Sequence, residues 1–152
     1  MNARRCLIVG ALLAAGIVTA TLAQAGLFRR HYYSSWSYYP QRTYHYSHYY
    51  YKPYSSYQGY KYHYCVYYPS KPRYTYYYNP YSKVYWGRYD LEEKGYSLLA
   101  DADRKGTLKD IPEEAFPKPA EMPPVPDSED GEQMAVPPAP PTDAPSGESE
   151  TK

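Results

Sequence analysis

Tyrosine is the residue that most restricts how this 152-residue chain can fold: there are 24, all between Tyr32 and Tyr96. A phenol ring offers apolar area, but its hydroxyl needs a hydrogen-bond partner once buried. From Gly26 to Tyr60 such rings come almost without aliphatic company after Leu27, as in Tyr44-His45-Tyr46-Ser47-His48-Tyr49-Tyr50-Tyr51. Tyr, Ser, His and Lys do not easily fill a close-packed interior. Residues 26–60 therefore read as a basic, low-complexity segment, extended or disordered in isolation. The same rings can stack, donate hydrogen bonds and accept the cations of Arg42, Lys52 and Lys61 on their faces, which points to self-association.

Aliphatic residues return after Lys61, and turn signals fall at regular spacing. Tyr62 to Tyr68 reads as a strand ended by Pro69-Ser70-Lys71-Pro72. Tyr74 to Tyr78 and Val84 to Tyr89 read as two more, separated by Asn79-Pro80-Tyr81-Ser82-Lys83. Tyr96 to Leu99 adds a possible fourth strand, and Pro112 to Phe116 one helical turn. The expectation is a small β-rich module over residues 61–116, a short antiparallel meander in an otherwise mostly disordered chain. Some 55 residues is a size at which a domain is marginal without staples or partners. Beyond it, residues 117–152 hold ten prolines, eight acids and no aromatic residue. That composition predicts an acidic, disordered tail with polyproline-like stretches at Pro123-Pro124-Val125-Pro126 and Pro137-Pro138-Ala139-Pro140-Pro141.

At the other end, Arg4 and Arg5 precede an uncharged apolar run from Cys6 to Leu22, followed by Ala23-Gln24-Ala25. This is the order of a cleavable signal peptide, a signal helix over residues 1–25. From Leu7 to Leu22 a helix would be roughly 24 Å long, short of the ~30 Å hydrocarbon core, so no stable membrane span is expected after cleavage. The expected location is secreted, periplasmic or cell-surface. Of the two cysteines only Cys65 would then remain. In an oxidising compartment it is a candidate for an intermolecular disulfide, or else a thiol protected by burial.

Charge divides the same blocks. Gly26 to Tyr89 holds nine Lys or Arg and no acid, whereas Asp90 to Lys152 holds sixteen acids against six bases. Blocks of opposite sign suggest partners: the chain itself, other envelope components, or anionic polymers and glycans. A basic aromatic block would also suit nucleic acid, but export removes that partner.

No catalytic residue, cofactor or metal site is assigned. The chain contains no G-x-S-x-G, Walker loop, dinucleotide fingerprint, C-x-x-C or H-E-x-x-H pattern. Asp101-Ala102-Asp103-Arg104-Lys105-Gly106-Thr107-Leu108 opens like a calcium loop. Lys105, however, stands where an oxygen ligand is needed, and Pro112 where a bidentate carboxylate should be. His45 with His48, and His63 with Cys65, are spaced for weak metal contact, without a fold to position them.

The run Tyr76-Tyr77-Tyr78-Asn79-Pro80-Tyr81-Ser82-Lys83-Val84-Tyr85-Trp86-Gly87-Arg88 is continued by Tyr96-Ser97-Leu98-Leu99, Leu108-Lys109-Asp110-Ile111-Pro112 and Ala115-Phe116-Pro117. Over roughly Cys65 to Gln133 it resembles an uncharacterised family of small, secreted, tyrosine-rich bacterial proteins. The resemblance implies a real module there and brings no activity with it. Two functions are consistent with the residues. One is a secreted, self-associating structural or interaction protein of the cell envelope or extracellular matrix. The other is a soluble exported binding module for glycan, peptide or metal ion. An enzyme is not expected, since no acid, base and nucleophile set assembles.

Overall fold

The computed structural model describes residues 29–142, so the signal-peptide expectation for residues 1–25 lies outside the described residues. Seven strands form one antiparallel sheet, curled into a half-barrel, with no α-helix among the described residues. They are β1 (His31–Tyr33), β2 (Ser37–Tyr39), β3 (Tyr44–Tyr51), β4 (Lys61–Tyr67), β5 (Tyr74–Asn79), β6 (Val84–Asp90) and β7 (Gly95–Leu98). The sheet order is β1-β3-β4-β5-β6-β7, and β2 pairs with the other end of β3.

The predicted meander is present as β4 to β7, each strand within about a residue of its expected bounds. Its two tight loops share one device. Asn79 Oδ1 accepts the N–H groups of Tyr81 and Ser82, and Asp90 Oδ1 accepts those of Glu92 and Glu93. Each loop closes on a lysine in the left-handed region, Lys83 at φ 59° and Lys94 at φ 58°. Short Asx side chains that bond to their own backbone are what makes such turns. The helical turn expected at residues 112–116 is a single 3₁₀ turn, Glu113–Ala115.

The sheet does not stop at Lys61, which corrects the reading of residues 26–60 as disordered. Tyr44–Tyr51 is an eight-residue strand paired along β4 in the register Tyr49↔His63 and Ser47↔Cys65. Its odd positions are buried and its even positions half-buried, the period of two that strand geometry imposes. Composition suggested that the phenols would lack partners. The partners are distant in sequence: the Tyr33 hydroxyl lies 2.7 Å from that of Tyr77 and donates to the Ala135 carbonyl at 2.8 Å.

The acidic tail is likewise packed, not free, up to the end of the described residues. Val125 and Met134 are 1% and 3% exposed. They cap a core of Tyr49, Tyr51, Cys65, Tyr77, Trp86, Tyr89 and Tyr96 on one face of the sheet. Tail and sheet edge are joined where Tyr96 and Ala120 exchange backbone hydrogen bonds of 2.8 and 2.9 Å. On the opposite face, residues from Leu99 to Phe116 cover only the β5–β7 half, through Leu99, Ile111 and Phe116 against Tyr76 and Tyr85.

A bulge in the β5–β6 pairing between Tyr77 and Tyr78 inserts Trp86, which lets Trp86 join the tail-side core while Tyr85 joins the other. Gly87 beside it carries no side chain because a Cβ there would sit 2.3 Å from the Tyr96 hydroxyl. At the far edge of the sheet, the break between β1 and β2 is bridged by serines. Ser34 Oγ accepts the His48 N–H at 2.9 Å, and Ser47 Oγ donates to the Ser34 carbonyl at 2.8 Å.

Candidate functional site: an open aromatic face

The face left uncovered at β3 and β4 is paved with rings, because strand alternation sends Tyr44, Tyr46, His48 and Tyr50 to the same side as Tyr62 and Tyr64. Neighbouring rings touch across the strands. His48 lies 4.9 Å from Tyr64 and 5.2 Å from Tyr62, centroid to centroid, and stacks on Tyr50 at 5.5 Å. Tyr32 extends the pavement from β1 by stacking on Tyr50 at 5.0 Å. Toward the other end, Tyr44 meets Tyr68 at 5.4 Å and Tyr39 at 5.4 Å.

At that end the face deepens into a groove of about 450 Å³, lined by Tyr39, Arg42, Tyr44, Tyr46, His48, Tyr64, Val66, Tyr68, Tyr78, Tyr85 and Gly106. No carboxylate lines it. Arg42 stands just before β3, and Lys52 just after, with its ammonium 4.9 Å from the Tyr60 ring. An eight-residue strand spans roughly 27 Å at about 3.4 Å per residue, so the pavement carries a cation at each end. Burial pushes the Tyr64 phenol up to about 12 and raises Tyr44, Tyr32 and Tyr85 as well. Burial also lowers the His48 imidazole. At neutral pH the pavement is therefore made of neutral hydroxyl and imidazole groups, with positive charge only at its ends.

The residues singled out from the sequence are dispersed. His45 and His48, three apart on β3, point to opposite faces, His45 against Tyr38 and Tyr67 at 4.8 and 6.3 Å. His63 and Cys65 share the tail-side core, and no group of three His, Cys, Asp or Glu able to hold a metal occurs among the described residues. In the Asp101–Leu108 loop, Arg104 pairs with Asp101 at 2.9 Å, and Lys105 Nζ donates to the Ala102 carbonyl at 2.8 Å. Cations of the chain itself thus already meet one Asp101 oxygen and the Ala102 carbonyl. Cys65 is free and 0% exposed, and burial pushes its thiol up to about 12. Cys65 lies on the face covered by Val125 and Met134, so a thiol from another chain would meet it only where the tail is lifted.

The opposite charge blocks meet inside one chain. Arg30 holds Asp130 at 2.7 Å, Lys61 holds Asp127 at 3.0 Å, and His31 approaches Glu132 at 3.7 Å. A second cavity, of about 630 Å³, lies beneath this tail segment between Lys61, His63, Trp86 and Asp127. Its two cations, Lys61 and Arg104, are already paired.

Sequence reasoning treated the β3 rings as undirected stickers. The signal it missed is the alternation in Tyr44-His45-Tyr46-Ser47, where tyrosine takes even positions and small or ring-nitrogen side chains take odd ones.

No protein-family model matches the chain, and neither does any curated protein or solved structure. No helix among the described residues is long and apolar enough to cross a membrane.

Proposed function

We propose that this chain is an exported interaction protein that binds a linear, uncharged or anionic glycan along the tyrosine face between Arg42 and Lys52. The observation that carries the reading is a ring-paved sheet face that no segment covers among the described residues, with a groove that no carboxylate lines among them, bounded by two cations. A pyranose ring has an apolar C–H face that stacks on a phenol and hydroxyl edges that bond to phenol and imidazole. Export, read from residues 1–25, would bring the chain to where such polymers are found.

Native gel electrophoresis of the full chain through gels containing polygalacturonate or dextran tests the reading. Saturable retardation is expected, with Tyr46→Ala/Tyr64→Ala weakening it by at least about tenfold, some 1.4 kcal/mol. Both rings are half-buried and pack on His48 and on each other, so the melting temperature of the double variant is measured alongside and the comparison is made where both proteins are folded. Equal mobility of parent and variant in both gels would sink the proposal.

A second reading, a structural protein of the cell envelope or matrix, is favoured by the exposure of Tyr38, Tyr39, Tyr54 and Tyr81, at 38%, 38%, 52% and 60%. A peroxidase-type oxidant removes one electron and one proton from each of two such phenols, and the radicals couple to dityrosine. With Cys65 buried, linkage of this kind resists detergent and is indifferent to reductant.

A further inference from the structure

The tail from Met134 to Pro141 is gripped through its backbone. Tyr33 donates to the Ala135 carbonyl at 2.8 Å, and Trp36 Nε1–H donates to the Ala139 carbonyl at 2.9 Å. Between these bonds Pro137 is buried. Ring donors aimed at the carbonyls of a proline-rich strand are a feature of the aromatic-lined grooves that hold polyproline segments in unrelated domains. Trp36 in turn packs edge-on to Tyr67 at 6.4 Å. The approach to the groove is basic and the incoming tail acidic, which sets its register through Arg30–Asp130 and Lys61–Asp127.

None of these contacts requires groove and tail to belong to one molecule. The chain is pinned to its own sheet edge as far as Ala120, and Glu121-Met122-Pro123-Pro124 is the short connection from there to the tail, whichever groove the tail enters. We propose that the Tyr33–Trp36 groove is an interaction surface for the proline-rich tail of a second copy of this chain, and that two molecules exchange these tails reciprocally. The exchange is isologous and closes on itself. Because the contacts are the same in both arrangements, concentration decides between them. A molecule's own tail competes at an effective concentration on the order of mM. Exchange therefore belongs to dense deposits of the protein and not to dilute solution. It uses a different face from the glycan proposal and stands independently of it.

Equal amounts of unlabelled and ¹⁵N-labelled full chain are unfolded together in urea and refolded at about 10 μM and at about 1 mM, the latter matching the effective concentration above. A carbodiimide then condenses the Lys61 amine with the Asp127 carboxylate, which lie 3.0 Å apart, and the joined peptides are weighed by mass spectrometry. Same-isotope peptides are expected at the low concentration, with mixed-isotope peptides rising toward half of the total at the high one. Same-isotope peptides alone at both concentrations would overturn the proposal. So would mixed links at Lys109 as abundant as those at Lys61, since they mark random collision.

Discussion

His63 is 4% exposed, accepts or donates one hydrogen bond to the Tyr51 hydroxyl at 3.2 Å, and packs edge-on to Trp86 at 5.5 Å. Burial pushes its imidazole down to about 4, with Asp127 opposing and Lys61 reinforcing that shift. Between an unfolded value of about 6.5 and the folded value, the unfolded chain binds a proton that the folded chain excludes. Stability is thus fully present above about pH 6.5 and is lost as pH falls toward 4, by up to about 3 kcal/mol from this group. His63→Gln should flatten that part of the profile in urea titrations from pH 7 to 4. An unchanged slope would mean that other groups carry the acid sensitivity. The position of His63 in the core was not legible locally: in His63-Tyr64-Cys65-Val66 the buried residues are told from the half-buried ones only by what lies across from them, and Tyr49 and Tyr77 are 14 residues or fewer away on neighbouring strands.

Elements of this sheet are held at their ends by carboxylates of unequal worth. Asp90, 2% exposed, ends β6: its carboxylate accepts from Arg73 Nε at 2.9 Å and from the N–H groups of Glu92 and Glu93. Burial pushes this carboxyl up, but Arg73 and the two N–H groups together hold it below the usual range. Asp130 makes a similar pair with Arg30 at the surface, where solvent screens it. Asp90→Ala should cost about 2–3 kcal/mol, chiefly through the lost turn bonds, since Arg73 keeps Glu93 at 2.8 Å, whereas Asp130→Ala should cost far less because solvent screens its pair. Urea midpoints at unchanged slope measure both, and equal losses would contradict the assignment. Strands β4 to β7 were legible because their aromatic and β-branched runs are punctuated by Pro, Asn and Asp. Strands β1 to β3 were not, because Tyr, Ser and His also compose disordered tracts. What distinguishes them is a set of bonds 44 to 103 residues long in sequence, from Tyr33 to Tyr77 and from Trp36 to Ala139.

The molecule as a whole is a sheet that needs a covering on each side, and the second half of the chain supplies both. Leu99 to Phe116 covers part of one face, and the tail covers the other. The module expected at residues 61–116 lacks both the tail and the β3 strand that completes its core. Burial of a side chain such as Val125 or Met134 contributes about 1.5–3 kcal/mol each, against a total stability of typically 5–15 kcal/mol. A chain ending at Phe116 should therefore lose its cooperative melt and bind a hydrophobic dye, as followed by near-UV circular dichroism and fluorescence. A sharp transition within a few degrees of the parent would show the tail to be dispensable. The charge asymmetry of the two halves was plain in the sequence. That it is partly satisfied within one molecule, through Arg30, Lys61, Arg73 and Arg88, was not, because composition records the sign of a block and not its distance from the opposite one.

The interrupted edge at β1 and β2 sets how this protein ages. A chain so rich in strand-forming rings has the makings of a fibre, which grows when a long row of unpaired amides templates the next molecule. Here one margin of the sheet consists of two three-residue strands split by Ser34 to Trp36, and the other is closed at Tyr96 by Ala120. Neither offers an incoming strand a continuous ladder to copy. Concentrating the protein should therefore yield discrete or amorphous material before it yields cross-β filaments.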